Sequence, residues 1–187
     1  MREIILLRHG EVDIKNDNNV SSNEFAKWII DYNNADIKSD FLQKNDIQNV
    51  LNKTDILICS TLKRSLQSLE VFEKIPFESN ALFNEAEIPY STANFLRLKV
   101  RYWLIIYRIL WFLGYEKNAQ SYQKTKLRAK DAASHLIELS KNNERIVLIG
   151  HGIMNKLIQK ELLLNKYLER KKTKNRHWDY AVLEFIK

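Results

Sequence analysis

Short apolar runs bounded by polar or turn-forming residues recur along the chain, and two of them end alike. Ile4-Ile5-Leu6-Leu7 runs into Arg8-His9-Gly10, and Ile146-Val147-Leu148-Ile149 runs into Gly150-His151-Gly152. Continuous apolar stretches of this length predict strands buried on both faces, as in the middle of a parallel sheet. Asp55-Ile56-Leu57-Ile58-Cys59-Ser60 predicts another, Ala81-Leu82-Phe83 a short one, and Tyr180 to Ile186 a closing one.

Helical spacing fills the intervals. Ser21 and Glu24 form a capping box ahead of Phe25, Trp28, Ile29 and Tyr32, an i, i+3, i+4, i+7 face. A weaker pattern runs through Phe41, Ile47, Val50 and Leu51 until Asn52-Lys53-Thr54 breaks it. Ser60-Thr61 is expected to cap a helix that carries Leu62, Leu66, Leu69 and Phe72 and ends before Pro76. Two later helices are predicted, one over Ser121 to Ser140 and one carrying Ile153, Leu157, Ile158, Leu162 and Leu163. Strands in alternation with helices make an α/β domain.

One stretch departs from this rhythm. Phe95 to Tyr115 packs Trp103, Leu104, Ile105, Ile106, Tyr107, Ile109, Leu110, Trp111, Phe112 and Leu113 among Arg97, Lys99, Arg101 and Arg108. A span needs about 20 apolar residues nearly free of charge. The uninterrupted run here is far shorter, so no transmembrane span is expected. A helix buried in a lid or against a partner chain is expected instead, and a peripheral membrane contact or a homodimer through residues 103–112 is the alternative.

Composition narrows the class. At 187 residues, with 45% hydrophobic and 28% charged, the chain can build one domain with a substantial core and is too apolar to be disordered. Thirty Lys and Arg against 23 Asp and Glu give a net charge of +7, which suits an anionic substrate or surface. The basic run Lys166 to Arg176 reads as a solvated face: Tyr167 is its one aromatic, so no base-stacking platform is visible and no nucleic acid is expected. Cys59 has no partner for an internal disulfide, and Met1-Arg2-Glu3 leads straight into the first strand without a cleavage site, so a cytoplasmic location is expected.

The polar residues at the strand ends carry the candidate chemistry. Ligands of open α/β sheets bind beyond the carboxyl ends of the strands. Arg8-His9 and His151 leave two such ends. Arg64 stands in the first turn of a helix, where a cation is unwelcome unless an anion lies between it and the helix N-terminus. Glu85 and Glu87 come just after the short strand at residues 81–83. His135, on a helix without glycine or arginine neighbours, reads as structural. Two arginines match phosphate oxygens bidentately, a neutral imidazole among them can attack phosphorus, and a carboxylic acid can protonate the leaving alkoxide. Nothing in this set requires a metal or another cofactor.

Leu7-Arg8-His9-Gly10-Glu11, Cys59-Ser60-Thr61-Leu62-Lys63-Arg64 and Ile149-Gly150-His151-Gly152 resemble, in order and separation, the motifs of the histidine phosphatase superfamily, the phosphoglycerate mutase-like group. The resemblance implies a three-layer α/β/α sandwich with a mostly parallel central sheet. It further implies a single domain over 1–187, with 86–130 as a helical lid insertion. By it His9 is the nucleophile, Arg8, Arg64 and His151 complete the phosphate pocket, and Glu85 is the proton donor with Glu87 in reserve. Where many relatives have threonine and then asparagine after the motif glycine, this chain has Val12 and Lys15, with Asn16 adjacent. Ile88-Pro89-Tyr90 stands where mutases have a glycine-rich tail. The implied activity is therefore a phosphomonoesterase acting through phosphohistidine on a small phosphorylated metabolite. The alternatives are a mutase, a protein phosphohistidine phosphatase and a non-catalytic phosphate-sensing adaptor.

Overall fold

Arg8 and Gly150 stand side by side at the ends of the two motif strands. In the computed structural model, which describes residues 2–15, 17–39, 44–92 and 94–186, β1 (Glu3–Arg8) pairs in parallel with β6 (Arg145–Gly150), from Glu3 opposite Arg145 to Arg8 opposite Gly150. On the far side of β6 lies β3 (Ile56–Cys59), also parallel, with the two-residue β4 (Glu78–Ser79) beyond it at the edge. On the other side of β1 lie β8 (Tyr180–Phe185) and then β7 (Tyr167–Lys171), each antiparallel to its neighbour. The sheet order is therefore β4-β3-β6-β1-β8-β7.

Burial on both faces follows from the two-residue period of a strand. Ile4 and Leu6 of β1, with Ile146 and Leu148 of β6, face α5 (Tyr122–Leu139) and α6 (Gly152–Leu164) through Ala132, Leu136, Met154 and Ile158. Ile5, Leu7, Val147 and Ile149 face the opposite way, toward α2 (Lys44–Asn52) and α3 (Lys63–Glu70), where they meet Ile47, Leu51 and Leu69. The result is the three-layer sandwich with a mostly parallel sheet that the sequence implies.

A second cluster sits apart from both faces. The expected capping box forms as read: Ser21 caps α1 (Ser22–Asn34), with the Glu24 backbone N–H donating to Ser21 Oγ and the Glu24 carboxylate accepting from the Ser21 N–H. Phe25 of α1 stacks on Trp28 and on Tyr107 of α4 (Val100–Phe112), with ring centroids 5.9 and 5.6 Å apart, and Tyr107 stacks on Trp103 at 5.3 Å. Such pairs add about 0.5–1.5 kcal/mol each beyond their area burial. Beside this stack β2 (Asn19–Ser21) and β5 (Arg97–Lys99) pair antiparallel. Among the described residues no helix is long and apolar enough to cross a membrane.

Three local expectations change. Ala81–Phe83 is a 3-10 turn, because the Asn80 side chain caps it by accepting the Leu82 N–H; the edge strand is Glu78–Ser79. Ser60-Thr61 does not N-cap α3, whose cap is Leu62; the Ser60 hydroxyl instead meets His151. The basic run at 166–176 contains the edge strand β7, in which Tyr167 is buried, Glu169 and Lys171 are half-buried and Leu168 and Arg170 are exposed. Phe41 lies outside the described residues.

Candidate active site

Because β4, β3, β6 and β1 run in one direction, their carboxyl ends deliver the next residues of the chain to one rim. Arg8 ends β1 with His9 next to it, His151 is the N-cap of α6 directly after β6, Arg64 stands in the first turn of α3, and Glu85 comes after the 3-10 turn beyond β4. Arg8, His9, Arg64, Glu85 and Glu87 line one cavity of about 570 Å³. The His151 ring lies 4.9 Å from that of His9. Asn16 lies outside the described residues.

Backbone bracing fixes these side chains. Asn155 spans the two motif strands: its Oδ1 accepts the His151 N–H and its Nδ2 donates to Leu7 O. A Cβ on Gly150 would fall 2.2 Å from that Oδ1, so only glycine leaves room for the brace. Gly10 donates its N–H to Ser68 Oγ of α3, while a Cβ there would sit 2.5 Å from the Trp178 ring. Glycine at both positions lets other groups approach the backbone closely.

The tautomer of His9 follows from its partner. His9 Nδ1 lies 2.7 Å from Gly10 O, which can only accept, so Nδ1 carries the proton and Nε2 keeps its lone pair. Ser60 Oγ accepts the Leu62 N–H and lies 2.6 Å from His151 Nε2; with the hydroxyl donating to Nε2, the His151 proton sits on Nδ1. Among the described residues that Nδ1 is buried without a partner, and so are Arg8 Nε, Arg64 Nε and His177 Nε2. A buried polar atom without a partner is costly, and several around one cavity mark a site built for a ligand with many acceptors.

Electrostatics agree. Burial, and then the Arg64 charge, hold His9 well below its usual 6.5. Burial and the neighbouring His9 do the same for His151. Both rings are neutral near pH 7. The Glu85 carboxylate sits at the α6 N-terminus: Oε1 accepts from the Ala86, Ile153 and Met154 N–H groups, whereas Oε2 shares only that of Ile153. Glu87 is turned aside to accept the Gln120 N–H.

No protein-family model and no curated protein sequence matches the chain. Solved structures do. The phosphoserine phosphatase of Entamoeba histolytica in complex with 3-phosphoglyceric acid is 16% identical, with a TM-score of 0.59 over 97% of this chain and 90% of that one. The mycobacterial glucosyl-3-phosphoglycerate phosphatase complexed with VO3 is 13% identical, with a TM-score of 0.55 over 88% and 83%. A putative alpha-ribazole-5'-P phosphatase of Escherichia coli is 15% identical, with a TM-score of 0.54 over 86% and 79%. These are histidine phosphatase superfamily structures.

The chain has the histidine phosphatase fold.

On this histidine phosphatase fold several residues join the site that the apolar pattern did not single out. His177 lines the cavity with its ring 5.3 Å from His9, and burial and then the Arg8 charge lower it to about 4. It arrives because β8 is antiparallel: its amino end, not its carboxyl end, reaches the rim, and Trp178 N–H and Asp179 O pair with the Arg8 backbone there. The segment Arg176-His177-Trp178-Asp179 directly ahead of the last strand was the available signal, legible only once the strand's direction is known. Arg64 donates to Asn33 Oδ1 and lies 5.0 Å above the Tyr32 ring, both on α1. Arg128 donates to the carbonyls of Leu82, Asn84 and Glu85, and Arg108 to those of Ala86 and Glu87. These two arginines hold the Glu85 loop in place. His135 is bound to Glu78 at 2.8 Å, away from the cavity, in keeping with a structural role.

Proposed function

We propose that the protein is a cytoplasmic phosphomonoesterase that works through a phosphohistidine on a small phosphorylated metabolite. The observation that carries this reading is the ring of buried nitrogens without partners, Arg8 Nε, Arg64 Nε, His151 Nδ1 and His177 Nε2, about a histidine whose Nε2 lone pair is available. A phosphate dianion supplies acceptors for these groups, and its charge matches the arginines.

The lone pair of His9 Nε2 attacks phosphorus as the P–O ester bond breaks. Glu85 gives its proton to the departing alkoxide, and in this reading Oε2, the oxygen with fewer backbone donors, carries it. The Gly10 carbonyl, accepting from Nδ1, steadies the positive ring. Water then attacks phosphorus, Glu85 takes its proton, the N–P bond breaks and inorganic phosphate leaves. Every step is supplied by side chains, so turnover is expected without added metal.

Residues 86–130 act as the lid in this reading. Ile88, Tyr90 and Leu104 join Trp28 and Ile29 of α1 in walling the cavity. That wall offers apolar contact to an ester whose alcohol is apolar or aromatic. Neighbours of the same fold act, by name, on phosphoserine, glucosyl-3-phosphoglycerate and alpha-ribazole phosphate, and hydrolysis rather than mutase transfer is the common thread.

The test is phosphate release from a panel of alkyl, aryl and sugar-acid phosphates, without added metal, by the wild type and His9→Ala. The variant is expected to lose on the order of 10⁴-fold in kcat. Denaturation of the wild type in alkaline detergent during turnover should trap a base-stable, acid-labile phosphoryl group that His9→Ala does not form. Hydrolysis that survives His9→Ala would overturn the reading, and binding of phosphate esters without turnover would favour the phosphate-sensing adaptor.

A further inference from the structure

The helix that walls the cavity also has an outer face that nothing among the described residues covers. Val100, Trp103, Tyr107 and Trp111 of α4 are buried against the fold. On the opposite side Tyr102, Ile105, Ile109, Phe112 and Leu113 are exposed by 44%, 56%, 54%, 48% and 79%. At 100° per residue these five fall within an arc of about 100° along a helix some 20 Å long, so they form one stripe rather than scattered surface residues.

Charge says what covers it. Residues 95–130 hold nine Lys and Arg and one acidic residue, Glu116, a net +8; the rest of the chain holds 21 basic and 22 acidic residues, a net −1. The whole positive excess of the protein therefore lies in the segment that carries the stripe. Arg108 and Arg128 are spent on the Glu85 loop, and Arg97 pairs with Glu24 at 3.0 Å. The remainder line the surface: Arg101 adjoins Tyr102, and Lys126 lies 5.5 Å over Tyr122, whose ring meets Phe112 at 5.1 Å. A second copy of this chain would bring the same six remaining basic residues, offset by Glu116 alone, against six, which opposes a dimer through this face. An apolar helix face bordered by aromatic and basic side chains matches the boundary of an anionic bilayer, with the helix lying in the interface plane.

We propose that the outer face of α4 docks the protein reversibly on an anionic lipid surface. Tyr102, Ile105, Ile109 and Phe112 enter the headgroup boundary, and Arg101 and the lysines at the start of α5 meet lipid phosphates. None of these side chains lines the cavity, so docking and phosphate chemistry are separable.

The experiment is co-sedimentation with phosphatidylcholine vesicles, with and without phosphatidylserine, at low and high salt. Wild type and His9→Ala are expected to bind the phosphatidylserine vesicles equally, to lose at least about tenfold in binding at high salt, and to ignore pure phosphatidylcholine. Ile105→Ser/Ile109→Ser and Arg101→Glu/Lys126→Glu are each expected to lose at least about tenfold in binding while hydrolysing a soluble ester like the wild type. That retained hydrolysis reports a folded protein; if hydrolysis is absent throughout, circular dichroism serves instead. Absence of binding at low salt would overturn the proposal, as would unchanged binding by Ile105→Ser/Ile109→Ser. Light scattering that showed a dimer broken by the same substitutions would assign the face to a second copy.

Discussion

The floor of the cavity and its cover are built on different principles. The floor is made of side chains that strand ends deliver, and each is held by backbone that belongs to the core: Gly10 by Ser68, the Leu7 and His151 backbone by Asn155, the His151 ring by Ser60. The cover is a stack of aromatics in which α1 and α4 hold mainly each other, tied further by the Ser22 and Tyr107 hydroxyls and the Ser91 backbone. The floor cannot change without disturbing the sheet, whereas the cover can be rebuilt with the sheet intact. On the proposed function, phosphate chemistry rests on the core and ester choice on a separable cluster, with Arg64, which touches α1 through Asn33 and Tyr32, as the link between them.

Substitution on each side tests that division. Arg64→Met removes a buried charged donor from the floor, and kcat/KM is expected to fall about 10²–10³-fold for every ester alike. Within the acid loop, Glu85→Gln should cost about 10²–10⁴-fold on alkyl phosphates and much less on a nitrophenyl phosphate, whose leaving group needs no proton. On the cover, Leu104→Ala is expected to lower kcat/KM about tenfold for esters with bulky apolar alcohols and hardly at all for small ones, the size of one lost apolar contact. Equal losses on large and small esters would break the comparison, because the cover would then belong to the phosphate machinery. Glu87→Gln should change either substrate by less than about threefold, since its carboxylate is occupied by Gln120.

The same division explains what was legible beforehand. Ile4 to His9 and Ile146 to His151 announce themselves because a strand buried on both faces is apolar without interruption, so the first polar residue marks the rim. Arg64 was legible because a cation at a helix N-terminus needs an explanation. His177 was not, since only pairing reveals that β8 runs antiparallel and offers its amino end. Nothing local singles out Arg108 and Arg128; their use on the carbonyls of 82–87 depends on helices that pack against a loop distant in sequence. Ser60 was read as a cap because local sequence shows the helix beside it and not the histidine 91 residues away. The α4 face shows the same limit in reverse: its apolar richness was evident, but only the fold separates the half that packs on α1 from the half left bare.

The floor also predicts how stability varies with pH. His9, His151 and His177 are all lowered from 6.5 in the folded protein, chiefly by burial, His177 to about 4. Unfolded, they take up protons near 6.5. Below that pH the unfolded chain binds more protons than the folded one, so the stability these groups contribute is complete above about pH 6.5 and is lost as pH falls. The lowered carboxylates act at lower pH: Glu11, held down by Lys38, and Asp36, held down by Lys63, contribute losses only as pH drops below their ordinary 4.5 and 3.8. Between pH 6.5 and 4.5 the floor histidines dominate. Urea unfolding at pH 7.5, 6.0 and 5.0 should show a falling midpoint with unchanged m, and His177→Asn should make that fall shallower. Inorganic phosphate at about 100 times its Kd should raise stability by about 2.7 kcal/mol at pH 7.5, because it binds the folded floor alone. The effect should persist in Leu104→Ala and vanish in Arg64→Met; a midpoint independent of pH over this window would mean the three rings are not held neutral by the fold.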